Sequence, residues 1–135
     1  MLPISLAIVG SRGFTNYPLL CRTMKDLCKT HKIGTIISGG ASGADRLAER
    51  YANEFQVPII VLKPVWRKNG VYNAGAGKER NTEIIALADY VLAFWDGRSA
   101  GTRDTITKTR RLGKKKWLKV VEYAKNTTNM VHLQC

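Results

Sequence analysis

Five short apolar runs punctuate the chain: Ser5 to Val9, Thr35 to Ile37, Val57 to Leu62, Tyr90 to Trp95 and Trp117 to Val121. Each has the length of a buried strand, and turn residues bound most of them. Between the runs, apolar positions recur at helical spacing. Leu20, Met24, Leu27, Cys28 and His31 mark a first helix, capped by Asn16 or Thr15, with Pro18 in its first turn and Gly34 as its stop. The clearest stripe is Ala44, Leu47, Ala48, Tyr51, Ala52 and Phe55, with Asp45, Arg46, Glu49, Arg50, Asn53 and Glu54 off it. Ile84, Ile85, Leu87 and Ala88 mark a third helix that opens near Glu79. Ile106, Thr109 and Leu112 mark a weaker fourth, ended by Gly113. Strands and helices alternate, which predicts an α/β fold: a mostly parallel sheet of about five strands with helices on both faces. The lysines around the last run suit an edge strand. Residues 1–121 read as one domain and 122–135 as a C-terminal tail.

The strand ends carry the candidate chemistry. The run at Ile36-Ile37 stops at Ser38-Gly39-Gly40, and a helix is expected from Ser42, with Asp45 three residues on as in a capping box. Strand, glycine turn and helix start form a geometry that holds phosphate. Glycine lets backbone approach an anion closely, and the first helical amides lack intrahelical partners. Gly10-Ser11-Arg12-Gly13 and Asp96-Gly97-Arg98-Ser99-Ala100-Gly101-Thr102 end two further strands in the same way. Ligands of parallel sheets sit outside the carboxyl ends of the strands, so these loops, with the one that starts at Lys63, are expected to converge on one site. Lys63 to Lys78 forms a long loop in which Trp66 and Tyr72 are placed either to stack on a base or to close over the core.

Charge sharpens this picture. The net charge is +12 over 135 residues, which points to an anionic partner. From Arg98 to Lys119 there are nine basic residues and one acid, Asp104. No apolar run approaches the roughly 20 residues that span a bilayer, so no membrane partner is expected. Cys21, Cys28 and Cys135 lack metal-ligand spacing and read as buried thiols of a reducing compartment, and the chain is expected in the cytoplasm. No metal site or cofactor is expected.

Four segments together resemble the SLOG superfamily of nucleotide binders: Val9-Gly10-Ser11-Arg12, Ser38-Gly39-Gly40-Ala41-Ser42-Gly43-Ala44-Asp45, Gly77-Lys78-Glu79-Arg80-Asn81 and Gly101-Thr102-Arg103. That superfamily includes the DprA/Smf DNA-processing proteins, the LOG phosphoribohydrolases and small stand-alone members found in bacteria and their phages. The resemblance implies a Rossmann-like three-layer sandwich that assembles as a homo-oligomer. It implies ligand binding by Gly10, Ser11, Arg12, Ser38, Gly39, Gly40, Ser42, Asp45, Lys78, Arg80, Asn81, Gly101, Thr102 and Arg103. LOG enzymes carry Pro-Gly-Gly-x-Gly-Thr-x-x-Glu. Here Gly101-Thr102 match, but Thr105 stands where the catalytic Glu would be, and threonine supplies no charge to a developing positive sugar. Arg80, Glu83 and Asp104 are the remaining catalytic candidates.

Three functions follow from these residues. The first is a nucleotide-binding module, a sensor or sequestering protein for a phosphorylated nucleotide or nucleotide-derived signal. The second is an N-glycosidase acting on nucleoside monophosphates. The third is a DprA-like binder of single-stranded DNA, with nucleic acid as partner through the basic segment.

Overall fold

The computed structural model describes residues 1–112 and 117–124. The expected stop at Gly113, Lys114 to Lys116 and most of the expected tail lie outside the described residues. In chain order the elements are β1 (Pro3–Gly10), α1 (Tyr17–Leu27), β2 (Lys32–Ser38), α2 (Ala44–Glu54), β3 (Ile59–Val61), β4 (Arg67–Lys68), β5 (Val71–Tyr72), α3 (Ala76–Leu87), β6 (Tyr90–Trp95), α4 (Ala100–Arg111) and β7 (Trp117–Glu122). Five strands form one sheet in the order β3-β2-β1-β6-β7, and every neighbouring pair in it is parallel. Counted within this sheet alone, that is the doubly wound order 3-2-1-4-5 of a Rossmann-like fold. The chain leaves β1 toward β2 on one side and returns to its other side with β6. A crevice opens where the direction reverses.

The central strand explains the two cores. Leu6, Ala7 and Ile8 are fully buried and Val9 nearly so. Side chains alternate across a strand. Leu6 and Ile8 pack with Phe14, Leu20, Met24, Ile36, Ala48, Leu92 and Phe94, under α1 and α2. Ala7 and Val9 pack on the opposite face with Ile37, Ile84, Ala88, Val91, Ala93 and Ile106, under α3 and α4. Each large apolar side chain buried this way is worth about 1.5–3 kcal/mol relative to exposure. Phe14 stacks on Phe94 with ring centroids 4.6 Å apart, which ties the loop after β1 to the end of β6.

Several local expectations change. Asn16, not Thr15, caps α1: its side chain accepts from the Leu19 amide at 3.0 Å. That helix ends at Leu27, so Gly34 is not its stop. Gly34 instead lies inside β2, where the pairing with β1 slips between Ile4 and Ser5. A Cβ on Gly34 would sit 2.8 Å from the Pro3 Cβ, so glycine fits the close strand approach. Cys28 is exposed rather than buried. The long loop after β3 holds a small antiparallel hairpin, β4 with β5, and Trp66 and Tyr72 stack on each other near its base. The third helix begins at Ala76, earlier than Glu79. The second begins at Ala44 with Gly43 at its N-cap and no side-chain cap, so Ser42 does not start it. No helix among the described residues is long and apolar enough to cross a membrane.

Candidate functional site

A cavity of about 600 Å³ opens at the switch point between β1 and β6. The loop after β1 supplies Gly10, Ser11, Arg12 and Gly13. The loop after β6 and the start of α4 supply Asp96, Arg98, Ser99, Ala100, Gly101, Thr102 and Thr105. The floor and far wall come from Val9, Ala41, Asp45, Arg80, Asn81 and Ile84.

The loop after β6 is built around one carboxylate. Asp96 Oδ1 accepts from the Arg98 amide, the Ser99 amide and the Ser99 hydroxyl, each at 2.8 Å. This Asx turn holds the Asp96 carboxyl well below the usual carboxylate range, through the Ser99 and Arg98 amides above all. The Ser99 proton is committed to Asp96, so the 2.5 Å contact between the Ser11 and Ser99 hydroxyls has Ser11 as donor. Ser11 Oγ in turn accepts the Asp96 amide at 3.1 Å. Side-chain and backbone bonds thus lock the two loops of the crevice together.

That lock aims α4 at the cavity. Its first intrahelical bond runs from the Arg103 amide to the Ser99 carbonyl at 3.1 Å. The amides of Ala100, Gly101 and Thr102 precede it and face the solvent side of the helix start. The macrodipole adds partial positive charge there. Among the described residues, a Cβ at Gly101 or at Gly13 would meet no atom within 4 Å, so the space beside both glycines is open. Arg12 and Arg98 are exposed and line the cavity.

The start of α2 is built differently. Gly43 has φ +75°, and a Cβ there would lie 2.3 Å from the carbonyl oxygens of Ser11 and Arg12. The Ala44 amide donates to the Ser11 carbonyl at 3.3 Å, and the Ala41 amide to Asp45 Oδ2 at 3.1 Å. Protein acceptors occupy this turn. Gly40, with φ +72°, faces Val61 and Lys63 rather than the cavity. Ser38 is buried and its hydroxyl donates to the Asp45 carbonyl at 3.1 Å.

Asp45, off the apolar stripe of its helix, is nonetheless buried, with 6% of its surface exposed. Burial raises its pKa, against the Ala41 amide and the Arg80 charge. Arg80 is half-buried. It donates from Nη1 to the Gly39 carbonyl and from Nε to Asn81 Oδ1 at 3.1 Å. Burial lowers its pKa and Asp45 opposes that shift. The Asn81 amide group then donates to the Gly101 carbonyl and to Asp104 Oδ2, both at 3.3 Å. This chain of bonds links the β2–α2 turn to the first turn of α4.

The cavity therefore gathers Gly10, Ser11, Arg12, Asp45, Arg80, Asn81, Gly101 and Thr102. Gly39 touches its wall through Arg80. Ser38, Gly40, Ser42, Lys78 and Arg103 do not line it. Arg103 lies over the Trp95 ring at 5.5 Å, and the Lys78 carbonyl accepts from Lys108 Nζ. Glu83 is exposed outside the cavity, and Asp104 pairs with Lys108 at 2.9 Å. Asp96, Arg98 and Ser99 line the site without having been singled out. An Asp three residues before a Ser at a helix start was the available signal.

A family model described as YAcAr, the YspA, cpYpsA-related SLOG family, matches residues 4–69. The Gene 61 protein of Mycobacterium phage D29 is 33% identical over 113 residues, covering 78% of this chain and 88% of that protein. The chain belongs to the SLOG superfamily. This SLOG chain also shares its fold with DNA processing protein A from Helicobacter pylori, a protein described for its single-stranded DNA binding mode. The TM-score is 0.67 at 24% identity, over 92% of this chain and 67% of that one.

Proposed function

We propose that this SLOG chain is a nucleotide-binding module, a sensor or sequestering protein whose ligand places a phosphate at the start of α4. One observation carries the reading. The three residues of the helix start, Ala100, Gly101 and Thr102, line the cavity together with Gly13, Arg12 and Arg98, and the space beside Gly13 and Gly101 is open among the described residues. Amides and dipole hold the anion, and the arginine forks match phosphate oxygens. The net charge of +12 draws such a ligand in. A phage protein among its relatives suits a sequestering role. The hydrolase reading gains little: the Thr105 hydroxyl donates to the Gly101 carbonyl, and the Asp96 oxygen nearest the amides is already bonded. The nucleic-acid reading draws on the fold it shares with DNA processing protein A and on its basic residues. Calorimetry with a panel of nucleotides and short single-stranded oligonucleotides, beside mass spectrometry of any nucleotide released on denaturation, tests the order. Tight oligonucleotide binding with no nucleotide binding would reverse it, and free base released from a monophosphate would establish the enzyme.

A further inference from the structure

We propose that Asp45 makes the site selective for ribose: with phosphate at α4, the sugar hydroxyls of a 5′-phosphorylated ribonucleotide donate to the Asp45 carboxylate, and the base stays outside the cavity. The inference rests on the phosphate reading above and names the part of the ligand that the rest of the cavity holds.

Among the described residues, the carboxylates lining the cavity are Asp45 and Asp96. Three donors already bond one oxygen of Asp96, all from its own loop. Asp45 reaches the cavity from the first turn of α2. A carboxylate accepts about four hydrogen bonds, and the Ala41 amide accounts for one at Asp45. Asp45 lines the crevice, so acceptor capacity remains at its wall. Arg80 keeps a positive charge beside it: Arg80 Nη1 and Asp45 Oδ2 both crowd the Gly39 backbone, at 2.7 and 2.8 Å from where its Cβ would be. A second phosphate is unsuited to this wall, because the carboxylate would repel it. A hydroxyl is suited, because it donates to the carboxylate and relieves the burial that raises the Asp45 pKa.

The composition of the wall separates sugar from base. No aromatic side chain is among the described lining residues, and the apolar contributions there are Val9, Ala41, Ile84 and Ala100. Such a wall offers no aromatic ring for base stacking. What adjoins the phosphate inside is therefore the sugar. Sites that hydrogen-bond a hydroxyl reject the analogue lacking it, because a buried acceptor is left unpaired.

The test uses the full chain and simple probes: inorganic phosphate, ribose 5-phosphate, 2-deoxyribose 5-phosphate, and AMP, GMP, UMP and dAMP, each measured by calorimetry. The expected result is binding of ribose 5-phosphate more than tenfold tighter than of its 2-deoxy analogue. The same margin is expected for AMP over dAMP, with AMP, GMP and UMP within about threefold of one another. In Asp45→Asn the side-chain oxygen stays with the Ala41 amide, and the ribose preference falls to within about threefold. Equal affinity for the two phosphosugars in the wild type overturns the inference while leaving the phosphate reading intact. So does an Asp45→Asn protein that loses both affinities in parallel with the ratio unchanged. Failure of every probe to bind overturns both.

Discussion

Gly101→Ala separates a phosphate site from a mere turn, because it is expected to move stability and affinity in opposite directions. In the free protein a Cβ at this position meets nothing within 4 Å, and no positive φ forbids it. Residue 101 lies in the first turn of α4, so alanine removes backbone freedom from the unfolded chain and improves helix propensity. The gain is about 0.4–1 kcal/mol, or roughly 1–5 °C in melting temperature for a chain of this size. The bound state pays a different cost. On the proposed placement of phosphate, the new methyl group crowds the anion at the amides of Ala100, Gly101 and Thr102. Displacing the phosphate from one or two charge-assisted bonds removes about 1.5–3 kcal/mol, which is roughly ten- to a hundredfold in affinity. Differential scanning calorimetry without ligand and titration calorimetry with a nucleotide read the two effects on one protein sample. A Gly101→Ala protein that melts no lower than wild type and binds with full affinity would refute the placement of phosphate at α4. A drop in melting temperature would show that the space before Gly101 is not open.

Other expectations follow from the same geometry. Gly43→Ala should destabilise by about 3 kcal/mol or more, since it combines a positive φ with two carbonyl oxygens at 2.3 Å; denaturant unfolding measures it, and a loss under 1 kcal/mol would contradict the clamp. Arg98→Ala, at an exposed rim, should weaken nucleotide binding with a melting temperature within about 1–2 °C of wild type, whereas Arg80→Ala should lose stability as well, because Gly39 and Asn81 lose their donor. Asp96→Asn should cost about 0.5–2 kcal/mol at neutral pH through the weakened turn. Asp96 has its pKa depressed in the folded state, so its contribution is complete above the unfolded value of about 3.9 and is lost as pH falls through the lower folded value. The wild-type and Asp96→Asn unfolding curves should therefore converge in strong acid, and a constant gap down to pH 2 would count against the Asx turn as the cause.

The sheet was legible because its signal is local. Leu6 to Val9, Ile36-Ile37 and Val91 to Phe94 are strand-length apolar runs, and the helix stripes between them fix the alternation. The convergence of the loops after β1 and β6 follows from that alternation alone. What stayed hidden depends on contacts between distant segments. Glycines and a capping residue mark the starts of α2 and α4 alike in sequence. Only the approach of Gly43 to the Ser11 and Arg12 carbonyls, some thirty residues away, occupies the first start and leaves the second free. The burial of Asp45 was masked for a similar reason: it lies off the apolar stripe, on the side that Arg80 covers from α3. Gly34 reads as a helix stop until the slipped pairing of β1 and β2 gives it a place inside a strand. The β4–β5 hairpin has two-residue strands, too short for any alternation to show.

The position of β1 in the middle of the sheet has a consequence for how the chain is made. Its partner on one side, β2, leaves the ribosome soon after it, but its partner on the other side, β6, begins only at Tyr90. Between those moments the Leu6 to Val9 backbone has an open edge, and the apolar face that α3 and α4 later cover is bare. At about 5–20 residues per second this interval lasts on the order of ten seconds. During it the half-made sheet offers a parallel-pairing surface to other nascent chains. The crevice needs both halves, so it is among the last features to form. A nucleotide that binds there would meet only finished molecules and would stabilise them against reopening between β1 and β6.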